Sequence, residues 1–228
     1  MRHVISFLAI AIIAIGNITA SAQAKSDIPV KTDKYGFYSV QSCPTSLPFL
    51  KAATEEQDDG NYKVNIYRGR HLSQSFNFEV TNGDLHYLDA NFDGNIDIMV
   101  GPAASRNYST ILLWDDNRGE FVPMISKDYL NGNFLMNPSK KFFVGQGSGS
   151  YCSEYYTCYS WKGNRLVADE TLIEITDPKA YAEYGVKRRY TVIKGDNCDN
   201  VAANKICETS KKSKLPSKWR TILAAYGM

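Results

Sequence analysis

Asp89, Asn91, Asp93, Asn95 and Asp97 fall on every second position of "LDANFDGNID", residues 88–97. The spacing reads D-x-N-x-D-G-x-x-D. So many carboxylates in one short loop repel one another unless something positive sits among them. Hard oxygen ligands on alternate residues of a tight loop suit calcium, which takes 6–8 oxygens in a flexible shell. In that reading Asp89, Asn91 and Asp93 supply side chains and Asn95 its backbone carbonyl. Asp97 adds a carboxylate, and Gly94 allows the sharp bend. The loop is not an EF-hand: counted from Asp89, position 12 is Val100, where that motif needs a bidentate Glu. The flanks "LHYL" and "IDIMVG" also read as strands. The competing reading is an ordinary polar turn, since Asp and Asn are common turn formers. If an ion is bound, its expected role is to rigidify the loop.

Other chemistry is sparse. Beyond residue 24 the chain holds only His71 and His86, with no zinc-type histidine spacing. It has neither a G-x-S-x-G elbow nor a phosphate-binding glycine loop. The expectation is a binding protein rather than an enzyme. The alternative is a glycosidase whose carboxylate pair would come from Glu154, Asp169 or Glu170.

The N-terminus bears on the compartment. Arg2 and His3 precede the apolar run "VISFLAIAIIAIG" (4–16), and Ala22-Gln23-Ala24 is a small-x-small cleavage pattern. Residues 1–24 read as a secretory signal peptide and 25–228 as one domain, periplasmic or secreted, without a transmembrane segment in the mature chain. After cleavage 25 Lys and Arg stand against 24 Asp and Glu, which gives no general attraction to nucleic acid or anionic membrane. In an oxidising compartment Cys43, Cys152, Cys158, Cys198 and Cys207 predict disulfides. Cys198–Cys207 is the preferred pair. Cys152–Cys158 can form only if the chain turns between the two residues.

The elements that must position the acidic loop are mostly strands. "YKVNIY" (62–67), "SFNFEV" (75–80), "IDIMVG" (96–101), "STILLWD" (109–115), "YYTCYSW" (155–161) and "RLVADETLIEI" (165–175) alternate or are rich in β-formers. Asn82-Gly83, residues 115–119 and Lys162-Gly163-Asn164 mark turns. Helix is confined to a short segment after Asp177-Pro178 and a terminal one over 216–227. Many short strands at regular spacing predict an all-β sandwich, barrel or propeller-like domain with a few short helical turns.

The block 88–122, with its D-x-N-x-D-G-x-x-D loop and the later hairpin "WDDNRGEF" (114–121), resembles a family of bacterial periplasmic calcium-binding immunity proteins. Those proteins inhibit a lysozyme-like peptidoglycan hydrolase delivered by type IV secretion. The loop is also similar to the calcium loops of FG-GAP propeller repeats. The resemblance implies a small β-propeller-like arrangement of antiparallel hairpins, calcium as the bound ion and a protein partner. Under it, "GQGSGSYCSEYY" (145–156) is the inhibitory element, with Ser148, Ser150 and Tyr151 reaching the hydrolase's catalytic carboxylates. The stretch is similar to the S-G-x-x-Y loop of periplasmic lysozyme inhibitors. It departs from that pattern in placing Tyr151 one residue early and Cys152 where the tyrosine belongs. The cationic stretch 211–220 is either a second contact with an acidic cleft or a solvated terminal segment. The alternative function is a calcium-dependent cell-surface adhesion or glycan-binding module.

Overall fold

The structure is a computed structural model that describes residues 28, 30–102, 108–125, 130–131, 133–150, 153–176, 188–196 and 201–228. Three antiparallel sheets account for most of it. The first has three strands: β2 (Lys51–Glu56), β3 (Tyr62–Arg68) and β4 (His71–Phe78). The second runs β5 (Leu85–Leu88), β6 (Asp97–Val100), β7 (Tyr108–Asp115) and β8 (Glu120–Pro123), with β9 (Leu130–Asn131) also paired to β7. The third has seven strands. They are β1 (Tyr38–Ser39), β10 (Asn133–Asn137), β11 (Phe142–Ser150), β12 (Ser153–Lys162), β13 (Arg165–Ile175), β14 (Arg189–Lys194) and β15 (Lys205–Thr209), neighbouring one another in that order.

The sheets stack in layers, and the five-stranded sheet is the middle one. Successive side chains of a strand point to opposite faces. Accordingly Met99, Ile111 and Leu113 pack with Phe134, Met136 and Phe143 of the seven-stranded sheet. Their neighbours Ile98, Val100 and Leu112 pack with Val64 and Ile66 of the three-stranded sheet. Burial on both faces explains why β6 and β7 read as continuous apolar runs rather than as alternation. The outer face of the seven-stranded sheet is covered by the C-terminal helix Ser217–Ala225. Its Trp219, Ile222 and Leu223 pack on Val144, Tyr156, Cys158, Leu172 and Val192. Among the described residues no helix is long and apolar enough to cross a membrane.

This architecture corrects the propeller-like expectation. A propeller needs small separate sheets set around an axis. Here seven strands hydrogen-bond into one continuous sheet, the sheets are layered, and none of the three closes on itself. Regular hairpin spacing reports hairpins and not how they join. Asn82-Gly83 shows the same limit. It does not join paired strands: β4 pairs with β3 and β5 pairs with β6, so this turn carries the chain between sheets. Asn82 Oδ1 accepts from Asp84 N–H, and a Cβ on Gly83 would lie 2.6 Å from Thr54 Oγ1, which fixes the close crossing. Gly163-Asn164 does close a tight hairpin, with Lys162 opposite Arg165. The short helix expected after Asp177-Pro178 lies outside the described residues.

The disulfide expectation is also corrected. Cys43, Cys158 and Cys207 are free thiols. Cys158 sits in mid-strand, buried under the C-terminal helix, and Cys43 belongs to the other core cluster, so neither reaches a partner. Burial pushes both thiols up to about 12. Neither Cys198–Cys207 nor Cys152–Cys158 is bridged, and Cys152 and Cys198 themselves lie outside the described residues. The cationic stretch 211–220 is partly spent on packing. Leu215 and Trp219 are buried, and Lys218 reaches Glu170 at 3.2 Å.

Candidate functional site

The acidic loop links β5 to β6, and its shape is set by side chain–backbone bonds. Asp89 Oδ1 accepts from Asp93 N–H and Asp89 Oδ2 from Gly94 N–H, both at 3.0 Å. Asn91 Oδ1 also accepts from Asp93 N–H, and Asp93 Oδ1 accepts from Asn95 N–H at 2.8 Å. The chain wraps this tightly only because Phe92 and Gly94 take positive φ, 62° and 90°. Glycine does so at little cost, whereas Phe92 is held there by the surrounding bonds.

Asp97 anchors the loop from below. It is fully buried, and its two oxygens accept from Ala90 N–H at 2.8 Å and Trp114 N–H at 2.9 Å. One carboxylate therefore ties the start of the loop to β7. Burial pushes its proton affinity well up, the two N–H donors oppose this, and the nearby Asp93 and Asp89 charges add to the rise. Asp89 is raised for the same leading reason, burial. A third tie comes from the seven-stranded sheet, where Trp161 Nε1 donates to Ala90 O at 2.7 Å.

Above the loop lies an open groove of about 420 Å³. Three turns wall it: the acidic loop (Asn91, Asp93, Asn95), the β7–β8 turn (Asp115, Asp116, Asn117) and the β12–β13 turn (Gly163, Asn164). Leu113, Trp114 and Val122 supply its apolar lining. Asp116 joins two of the walls, since its Oδ2 accepts from Asn95 Nδ2 at 3.1 Å and its Oδ1 from Trp114 Nε1 at 2.8 Å. Asp115 Oδ1 accepts from Asn117 and Arg118 N–H, and Gly119, at φ 62°, closes that turn. Three carboxylates and four carboxamides line the groove, and none of the described residues lining it is basic, although Arg118 pairs with Asp115 from the side. Its field therefore favours a cation.

The five residues expected to ligate calcium face different spaces. Asn91, Asp93 and Asn95 line the groove, whereas Asp89 lines a separate cavity of about 190 Å³ with Tyr38 and Phe92, and Asp97 is wholly enclosed. Every carboxylate oxygen of Asp89, Asp93 and Asp97 accepts a hydrogen bond, the last of them from Asn91 Nδ2 to Asp93 Oδ2. Among the described residues no group of three or more His, Cys, Asp or Glu is placed to hold a metal ion. That finding overturns the expectation of a metal-ligating cluster among the described residues, and N–H groups offset part of the loop's charge.

The residues expected at the partner surface lie elsewhere. "GQGSGS" is not a loose loop; residues 145–150 continue β11, with Ser148 opposite Glu154 and Ser150 opposite Ser153 on β12. Tyr151 lies outside the described residues. The groove adjoins the other end of β12, which its ten residues place roughly 30 Å away. Sequence reading missed Asp116 and Asn164 because what brings each to the groove includes residues distant along the chain. The one signal for Asp116 was its place in the turn-forming run 115–119.

No protein-family model matches the chain, and no curated protein matches it either. A solved structure described as that of a Xanthomonas Type IV Secretion System related protein is 16% identical, with a TM-score of 0.44, over 83% of this chain and 98% of that one. Membership of the calcium-binding immunity family with a propeller-like fold is therefore not upheld: no family model supports it and the three sheets are open.

Proposed function

We propose that the protein is an exported, non-catalytic binding protein that blocks a basic peptidoglycan hydrolase, engaging it through the groove between the acidic loop and the β7–β8 turn. The observation that carries this reading is the groove's lining of Asp93, Asp115 and Asp116 with four carboxamides and no basic side chain among the described residues. An enzyme that works on an anionic wall polymer gains from a cationic surface, and such a surface complements this groove. The half-buried Trp114 offers a face for a guanidinium or ammonium group.

Binding fits better than hydrolysis because the groove's carboxylates are engaged. Both oxygens of Asp93 and of Asp116 accept hydrogen bonds, and Asp115 holds its own turn and lies 3.5 Å from Arg118. Glycoside hydrolysis needs one carboxyl free to give a proton and another to attack or activate water. The amide-rich wall beside Trp114 also favours a second reading, a glycan-binding module.

The test is cell-wall lysis by a lysozyme-type hydrolase in the presence of residues 25–228. Inhibition should weaken at least tenfold with Asp93→Lys, which reverses an exposed groove charge, and should fall with rising salt. Undiminished inhibition by the variant refutes the groove assignment. No inhibition of any basic hydrolase, with retention on peptidoglycan fragments that Asp93→Lys abolishes, selects the glycan reading.

A further inference from the structure

The end of the seven-stranded sheet far from the groove holds an unusual pair. Glu154 on β12 and Glu174 on β13 are directly opposite one another in register. Residues so placed have Cβ atoms about 4.5–5.5 Å apart, and like charges there repel. Water does not relieve the repulsion, because Glu174 is 2% exposed. Neither oxygen of Glu174 meets a partner in good hydrogen-bond geometry, although the Tyr190 hydroxyl lies close enough to favour its charged form. Arg188 Nε stands 3.4 Å from Glu174 Oε1, outside hydrogen-bond geometry, on a side chain that is 54% exposed. Glu154 is differently provided for. Its Oε2 accepts from Tyr156 Oη at 2.7 Å and Gln146 Nε2 at 2.9 Å, which leaves Oε1 to take another donor.

We propose that Glu174 carries a proton because it is buried facing Glu154, and that this proton is a pH-dependent latch on the sheet end where the C-terminal helix finishes.

The groups facing the pair come from every element around it. β12 contributes Tyr156, β14 contributes Tyr190, and Arg188 precedes β14. Lys212, ahead of the C-terminal helix, also acts on Glu174 and donates to Met228 O. Tyr226 packs edge-on against Tyr156 at 5.3 Å, and the Tyr156 hydroxyl lies 2.7 Å from Met228 Sδ. Tyr156 thus connects the carboxyl pair to the helix end. Burial raises the proton affinity of Glu174 first of all, Glu154 adds to the rise, and Arg188 opposes it. A glutamate raised in the fold stabilises the protein most below its unfolded value of about 4.5. That contribution is lost as pH rises through the higher folded value. Ionisation of Glu174 leaves two facing anions at the sheet end and loosens the seat of the helix.

The test is thermal unfolding of residues 25–228 between pH 5 and 8, wild type against Glu174→Gln. Glutamine keeps the shape of the side chain and cannot ionise. The wild type should lose roughly 2–4 °C of Tm for each tenfold increase in Glu174 proton affinity caused by folding. Glu174→Gln should lose that component and melt higher than wild type at pH 8. Parallel profiles overturn the proposal. Should the variant not fold, the Glu174 carboxyl carbon of the wild-type protein is titrated by NMR. A midpoint above the ordinary glutamate range supports the latch, and one within that range overturns it.

Discussion

Replacing Asp97 by alanine removes the one side chain that ties the acidic loop to β7 and to its own first residue. The carboxylate is fully buried and satisfies the N–H groups of Ala90 and Trp114. Without it two buried donors lose their acceptors, at about 1–3 kcal/mol each. Part of this returns, because a carboxylate that is costly to bury is gone. The expected net loss is about 2–4 kcal/mol, or roughly 5–15 °C in Tm for a chain of this size. Asp97→Asn should fall between the two proteins: it keeps one acceptor but turns an amide donor toward the other N–H. Urea unfolding with unchanged slope measures the loss. An alanine variant within about 0.5 kcal/mol of wild type would show that the loop does not depend on this anchor.

His86 and the acidic loop give two further outcomes. His86 is buried with Nδ1 unpartnered, and burial lowers its proton affinity against a smaller opposing effect of Asp84. A base held neutral in the fold contributes stability above its ordinary value of 6.5, and this is lost as pH falls toward the lowered folded value. Unfolding from pH 7.5 down to 5 should therefore be less pH-dependent in His86→Leu than in wild type; equal slopes would exclude His86 as a source. Because no metal-ligating cluster is formed among the described residues and N–H groups already offset part of the loop's charge, excess chelator should leave Tm within about 1 °C of its value in millimolar calcium. A calcium-induced rise of several degrees, measured by scanning calorimetry, would show that the loop rearranges around an ion.

Where a feature depends on residues close in sequence, it was legible. Gly163-Asn164 closes its hairpin, Ser217–Ala225 is helical, and the acidic stretch is a tight turn with Gly94 at positive φ. Its bonds run between residues two to seven apart. The groove was not legible, because the side chains that shape it are distant in sequence: Asn95 meets Asp116, and Trp161 reaches Ala90 from another sheet. The Glu154–Glu174 pair was equally hidden. Glu154 was noted as an acid, but its partner is fixed by the register of β12 against β13. Ser148 and Ser150 read as loop because Gly and Ser disfavour strands, yet pairing with β12 carries them as strand.

The sequence by itself determined the β-rich character, the turns and the covalent order of an acidic loop between two apolar segments. Alternation, turn residues and side chain–backbone bonds act over a few residues and need nothing beyond them. The tertiary structure decided that the five-stranded sheet is the middle layer and that three turns meet around one groove. It also set Asp97 against Trp114 of β7, which ties the loop to the sheet. Those outcomes rest on burying apolar faces between sheets, a non-local free energy that local pattern constrains only weakly.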